Sequence, residues 1–182
     1  AGAISHGENL TKWDKVSIDT DGEVFTEAGA WIQNNQVLMV LRNQSVMSHG
    51  KFHAAVTVSS DYGRSFSPYM LSNLPMATTK PFCGRLKDGR PYLVFNRSIE
   101  GKPYDRSQLV LGICEQGELR IDKLYAIDEG RPGPERRSAL SYPYAKQINN
   151  KLYIAYSYES APGLVGGNHN DAMLAAVDIG SL

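Results

Sequence analysis

The 182 residues predict an all-β chain built from a repeated strand unit. Three observations carry that prediction. Short runs of β-branched and aromatic residues are separated by Gly, Asn, Asp or Pro. No stretch keeps the 3.6-residue apolar period of a helix. A tight-turn pair followed by an apolar run also recurs: Asn34-Asn35 before Val37–Leu41, Asp88-Gly89 before Pro91–Phe95, and Asn149-Asn150 before Leu152–Tyr156. Asn and Gly tolerate the positive φ that two-residue hairpin turns require.

The spacing of these hairpins sets the architecture. From Asn34 to Asp88 is 54 residues, from Asp88 to Asn149 is 61, and from Gly63 to Gly117 is again 54. In an all-β chain, a period of about fifty residues corresponds to propeller blades of about four strands. Three hairpins plus partial units at both ends make roughly three and a half four-stranded blades of a β-propeller, and a closed propeller needs more than this. Terminal blades left alone would present apolar faces and open strand edges. The sequence therefore predicts one propeller portion over residues 1–182, with further blades on its N-terminal side.

Bulk composition excludes several function classes. Lys+Arg and Asp+Glu are 19 each, so no global charge draws the chain to nucleic acid or an anionic membrane. The longest apolar run, Val37–Leu41, is far short of a membrane span. No charged-then-apolar leader opens the sequence, but Ala1 does not resemble a natural start, so the compartment stays open, with a secreted or periplasmic one slightly favoured. Cys83 and Cys114 are too few for a disulfide framework and are expected to be buried and reduced. Asn9, Asn43 and Asn96 each head a glycosylation triplet, a pattern that also arises by chance. His6, His49, His53 and His169 have no metal-ligand spacing, and no phosphate loop, dinucleotide fingerprint or zinc pattern is present. No cofactor or metal is expected.

Ser59-Ser60-Asp61-Tyr62-Gly63-Arg64-Ser65-Phe66 matches the Asp-box, Ser-x-Asp-x-Gly-x-x-aromatic, with degenerate relatives near Asn9–Trp13 and Glu115–Gly117. Its physics is local: the Asp caps backbone N–H groups, Gly takes the positive-φ position, and the aromatic ring packs between strands. Asp61 is therefore read as structural. The order of segments says more. Phe25-Thr26-Glu27 leads into Val37–Arg42; the Asp-box follows, then Asp105–Leu109, Leu140–Pro143 and Tyr153–Tyr156. This order resembles the second half of the sialidase (neuraminidase) family over nearly the whole chain. The resemblance implies a six-bladed propeller and an exo-acting hydrolase of terminal acidic sugars. It puts the family's base on Glu27, two carboxylate-binding arginines on Arg42 and Arg106, and the nucleophile on Tyr142. The family's first arginine and its catalytic Asp would lie in earlier blades.

The repeat offers a check independent of the family. Glu27 lies seven residues before Asn34, and Tyr142 seven before Asn149, so both share one phase at the start of an inner strand, by the channel mouth. Seven before Asp88 is Pro81, so the middle blade is expected to offer no reactive group there.

The chemistry suits these residue types. The anomeric carbon of a sialoside already carries a carboxylate, which repels an anionic nucleophile; a phenol activated by a neighbouring carboxylate avoids that repulsion. Tyr142 would attack, Glu27 would take its proton, and Arg42 and Arg106 would hold the substrate carboxylate through forked hydrogen bonds. Each residue also has an ordinary alternative. Tyr142 could pack, Glu27 could be solvated, Arg42 could simply end a strand, and Asp105 could pair with Arg106. Arg136 or Arg137 could replace either arginine. Two other readings use the same scaffold: a lyase or other glycosidase acting on uronate-containing glycans, and a non-catalytic glycan- or protein-binding propeller. The expected partners are a glycan and the upstream blades.

Overall fold

A computed structural model describes residues 2–6, 8–45, 53–99, 102, 104–116, 118, 120–130, 139–159 and 170–182. The described residues form thirteen strands and one three-residue 3-10 turn at Ile179–Ser181. Strands β1 (Gly2–His6) and β2 (Asn9–Val16) pair as a hairpin. A first four-stranded sheet follows as β3 (Phe25–Gln33), β4 (Gln36–Asn43), β5 (Ala55–Ser59) and β6 (Met70–Leu71). The middle sheet is β7 (Phe82–Arg85), β8 (Pro91–Asn96), β9 (Leu109–Cys114) and β10 (Ile121–Asp128). The third sheet is β11 (Ala139–Ile148), β12 (Lys151–Glu159) and β13 (Asn170–Asp178).

Each sheet is an antiparallel meander in sequence order, the arrangement of propeller blades. The expected partial sialidase-like propeller is what forms, as two complete blades flanked by a three-stranded sheet and a hairpin. Among the described residues, no helix is long and apolar enough to cross a membrane.

The sheets stack face to face. In β8, Leu93 and Phe95 pack toward the first sheet with Trp31, Leu38 and Val40, while Tyr92 and Val94 pack toward the third with Leu140, Leu152 and Ile154. This explains the continuous apolar run at Pro91–Phe95: a strand buried on both faces has no polar face to alternate with. The inner strands meet, with β7 touching both β3 and β11. At that joint a Cβ on Gly29 would lie 2.6 Å from Cys83 Sγ, so only glycine fits. The Trp31 indole N–H is shared between the Gly84 and Tyr92 carbonyls, 2.9 Å from each. Arg85 donates to the Ile32 carbonyl and the Gln33 side chain, fastening the middle sheet to the first. Tyr156 Oη donates to Asp128 Oδ2 at 2.7 Å, fastening the third sheet to the middle one.

The turns depart from the sequence reading once. Asn34 and Asn35 both take positive φ (49° and 62°) in a two-residue turn between Gln33 and Gln36. Asn149 (φ 52°) begins the two-residue turn between Ile148 and Lys151. Asp88-Gly89, however, lies in a three-residue turn closed by the Leu86–Arg90 hydrogen bond (2.9 Å), with Gly89 at φ 93°.

Candidate active site

Glu27 and Tyr142 occupy the same structural feature. The β3–β4 register pairs Thr26 with Arg42 and then Ala28 with Leu41, leaving Glu27 as one extra residue, at φ 30°. The β11–β12 register pairs Ser141 with Ser157 and then Tyr144 with Ala155, so Tyr142 and Pro143 face the single residue Tyr156; Tyr142 is at φ 53°. Both are β-bulges with a side-chain-bearing residue in left-handed backbone. A residue held so costs of order 1–3 kcal/mol and persists where the surroundings enforce it, often at functional sites. The shared phase read from the turns thus has a conformational counterpart.

The longer middle turn corrects the third phase position. Matching the closing pair Leu86–Arg90 to Gln33–Gln36 moves it from Pro81 to Lys80. Pro81 then matches Pro143, and Lys80, which is exposed, matches Glu27 and Tyr142. The middle blade has no positive-φ residue at this point.

The site residues gather in two pairs. Arg42 Nη1 donates to Glu27 Oε2 in a half-buried ion pair, and Arg42 Nε is buried without a partner. Arg106 Nη1 donates to Ser141 Oγ at 2.9 Å, beside Tyr142 in sequence, and Arg106 O accepts from Leu140 N at 2.9 Å. Asp105 does not pair with Arg106; it accepts from Ser107 N (2.8 Å) and Ser107 Oγ, closing its own turn. Tyr142 is 56% exposed and is not hydrogen-bonded to Glu27. Arg136 and Arg137 lie outside the described residues.

Two features were invisible in the sequence. One is Ser141, the acceptor for Arg106. The other is Asn96, the buried end of β8, whose amide reaches the Arg106 and Leu140 carbonyls. A cavity of about 520 Å³ also opens between the first and middle sheets, bordered by Trp31, Leu38, Val40 and Ile121, and none of the four site residues lines it.

Three further titratable groups, Asp61, Cys83 and Cys114, are shifted by their surroundings. Ser65 and Ser59 donate to the Asp61 carboxylate, with Ser65 Oγ at 2.6 Å and Ser65 N at 2.9 Å, and hold it down at about 2. Gly63 takes φ 86° and its N–H reaches Ser59 Oγ at 2.7 Å, so the Asp61 segment is a self-capped turn. Both thiols are free. Cys114 is buried as expected and Cys83 only partly so; burial raises the Cys83 thiol well above the usual thiol range and Cys114 to about 12. Asn43 and Asn96 are 2% and 0% exposed, so neither can accept a glycan. Among the described residues no cluster of three or more His, Cys, Asp or Glu could hold a metal.

The BNR repeat-like domain family matches residues 3–154. The chain belongs to that family. No curated protein sequence matches this chain, but solved structures do. A Dyadobacter fermentans protein described as of unknown function is 18% identical, with a TM-score of 0.67 over 97% of this chain and 44% of its own. Trypanosoma rangeli sialidase bound to the inhibitor DANA is 12% identical, with a TM-score of 0.62 over 95% of this chain and 26% of its own. An ulvan lyase bound to -[GlcA(1-4)Rha3S]- is 12% identical, with a TM-score of 0.57 over 85% and 38%. The BNR domain thus spans less than half the length of each, and at such identities the likeness is one of fold.

Proposed function

We propose that the BNR domain supplies one side of the active site of a sialidase-like glycoside hydrolase that removes terminal acidic sugars from glycans. The observation that carries this reading is the pair of matched bulges, one holding a carboxylate and the other an exposed phenol, each with an arginine nearby. Two strained positions bearing complementary reactive groups, at one phase of a repeat, are hard to explain by packing alone.

In the proposed mechanism, Glu27 accepts the proton of Tyr142 Oη as that oxygen attacks the anomeric carbon, giving a tyrosyl-glycosyl intermediate that water then cleaves. Arg106 and Arg42 grip the substrate carboxylate. Arg42 has a second part. At rest it neutralises Glu27; a substrate carboxylate competes for the guanidinium and leaves Glu27 freer to act as a base. The remaining arginine and the acid that protonates the leaving group would come from other blades of the same propeller.

The test is a fluorogenic sialoside assay on the full-length protein that carries this domain. Tyr142→Phe is expected to lower kcat by about 10²- to 10⁴-fold with thermal stability unchanged. The isolated 182-residue chain is expected to be inactive, with activity restored when the upstream blades are supplied. Full activity in Tyr142→Phe would remove the nucleophile from the reading. The ulvan lyase likeness motivates one further arm, a uronate polysaccharide followed by the ultraviolet absorbance of an unsaturated product. Turnover there but not on the sialoside would shift the assignment to a lyase, and turnover on neither would favour a binding propeller.

A further inference from the structure

We infer that Asn96 is a positioning residue for Arg106 and Tyr142, setting both from inside the fold. The inference rests on the roles proposed above for those two residues. Asn96 ends β8 and is 0% exposed. Its side-chain Nδ2 faces three carbonyl oxygens: Leu140 at 2.9 Å, Gln108 at 3.3 Å and Arg106 at 3.4 Å. An amide nitrogen carries two hydrogens, so one bond is shared. The amide can sit only this way round, because the flipped form would press Oδ1 against three acceptors.

That orientation leaves Asn96 Oδ1 buried with no partner. An orphaned buried acceptor weakens the fold, and an apolar residue of the same size would avoid the cost. A residue present only to fill space would not need it. What the amide does is join two segments that carry the site. Gln108 and Arg106 belong to the stretch before β9, and Leu140 lies two residues before Tyr142. Leu140 N donates to Arg106 O at 2.9 Å, so the segments are joined directly as well as through the Asn96 amide. From there the guanidinium reaches Ser141 Oγ at 2.9 Å, and the next residue is the bulged Tyr142.

The repeat gives the position a meaning. Arg42 lies six residues after Gln36, the first residue past its turn; Asn96 lies six after Arg90, the first past the middle turn. The same place in two blades thus sends a charged group to Glu27 in one and a neutral brace to the Arg106–Tyr142 pair in the other.

The experiment uses the full-length protein with Asn96→Leu, which keeps the branched shape while deleting both the donors and the orphan. KM for the sialoside is expected to rise and kcat to fall, giving about a 10- to 100-fold loss in kcat/KM. Hydrogen exchange of the Leu140 amide and of residues 106–109 should accelerate while the β12 amides stay protected. Unchanged kinetics with unchanged exchange at Leu140 would overturn the inference. So would exchange that rises evenly across the third sheet, the signature of a merely structural role. If Asn96→Leu does not fold, Asn96→Ser retains one donor and should give a smaller shift of the same pattern. If the wild-type protein hydrolyses no sialoside, the proposed function fails on its own, and local exchange at Leu140 still decides whether Asn96 braces that segment.

Discussion

The middle sheet and its two neighbours use the same strand plan to opposite ends. In β8 and β9 every residue is buried, and the strands pack on both faces. No side-chain-bearing residue of the middle sheet has a positive φ. The first and third sheets each begin with a bulge that forces Glu27 or Tyr142 into left-handed backbone. The contrast teaches that a repeat need not spread strain evenly. The central unit, clasped from both sides, holds the fold, and the flanking units carry the costly conformations at Glu27 and Tyr142.

This contrast can be broken most forcefully at the core of the middle sheet. Phe95 is fully buried between the first and middle sheets, and Phe95→Ala should cost about 3–5 kcal/mol by urea denaturation. A loss under about 1 kcal/mol would mean the middle sheet is not the support described here. Arg106→Lys comes next. An ammonium cannot reproduce the guanidinium fork, so affinity for the acidic sugar should fall about 10- to 100-fold while the melting temperature holds. Equal affinity would take Arg106 out of substrate binding.

Tyr142→Asn is a milder probe with the opposite sign. Asn tolerates left-handed backbone better than Tyr does, and the Tyr142 side chain is more than half exposed. Stability is expected to rise by up to about 1 kcal/mol while activity is abolished. A loss of stability would show that the bulge is not strained. The smallest effect lies at the rim. Asp61 is held at about 2, below its ordinary 3.8, chiefly by Ser65. A lowered folded-state value contributes stability that is complete above the ordinary value and fades as pH falls through about 2. The wild-type protein should therefore lose more stability than Asp61→Asn between those two values, read from urea midpoints in a pH series. Parallel curves would detach Asp61 from the turn.

Much of this was legible because turn chemistry is local. Asn34-Asn35 and Asn149-Asn150 fix both the hairpins and the distance back to Glu27 and Tyr142. The Asp88-Gly89 pair misled by one residue, because a dipeptide does not reveal how many residues its loop holds, and so Pro81 stood where Lys80 belongs. The Asn43 and Asn96 triplets could not be decided from sequence, because their burial depends on neighbouring sheets that no triplet encodes. Asn96 and Ser141 were illegible for the same reason. Their partners lie far along the chain, and ordinary polar residues acquire roles only when the fold supplies an Arg106 or a Leu140 carbonyl.

The Trp31 indole wedged between the Gly84 and Tyr92 carbonyls has a spectroscopic consequence. The chain contains two tryptophans, and their surroundings differ sharply: Trp31 is 5% exposed and Trp13 is 55% exposed. Trp13 should emit at long wavelength and be quenched by iodide. Trp31 should emit at short wavelength and resist quenching until the first and middle sheets part. Its red shift then times the opening of one particular joint, a clock for sheet separation that needs no label.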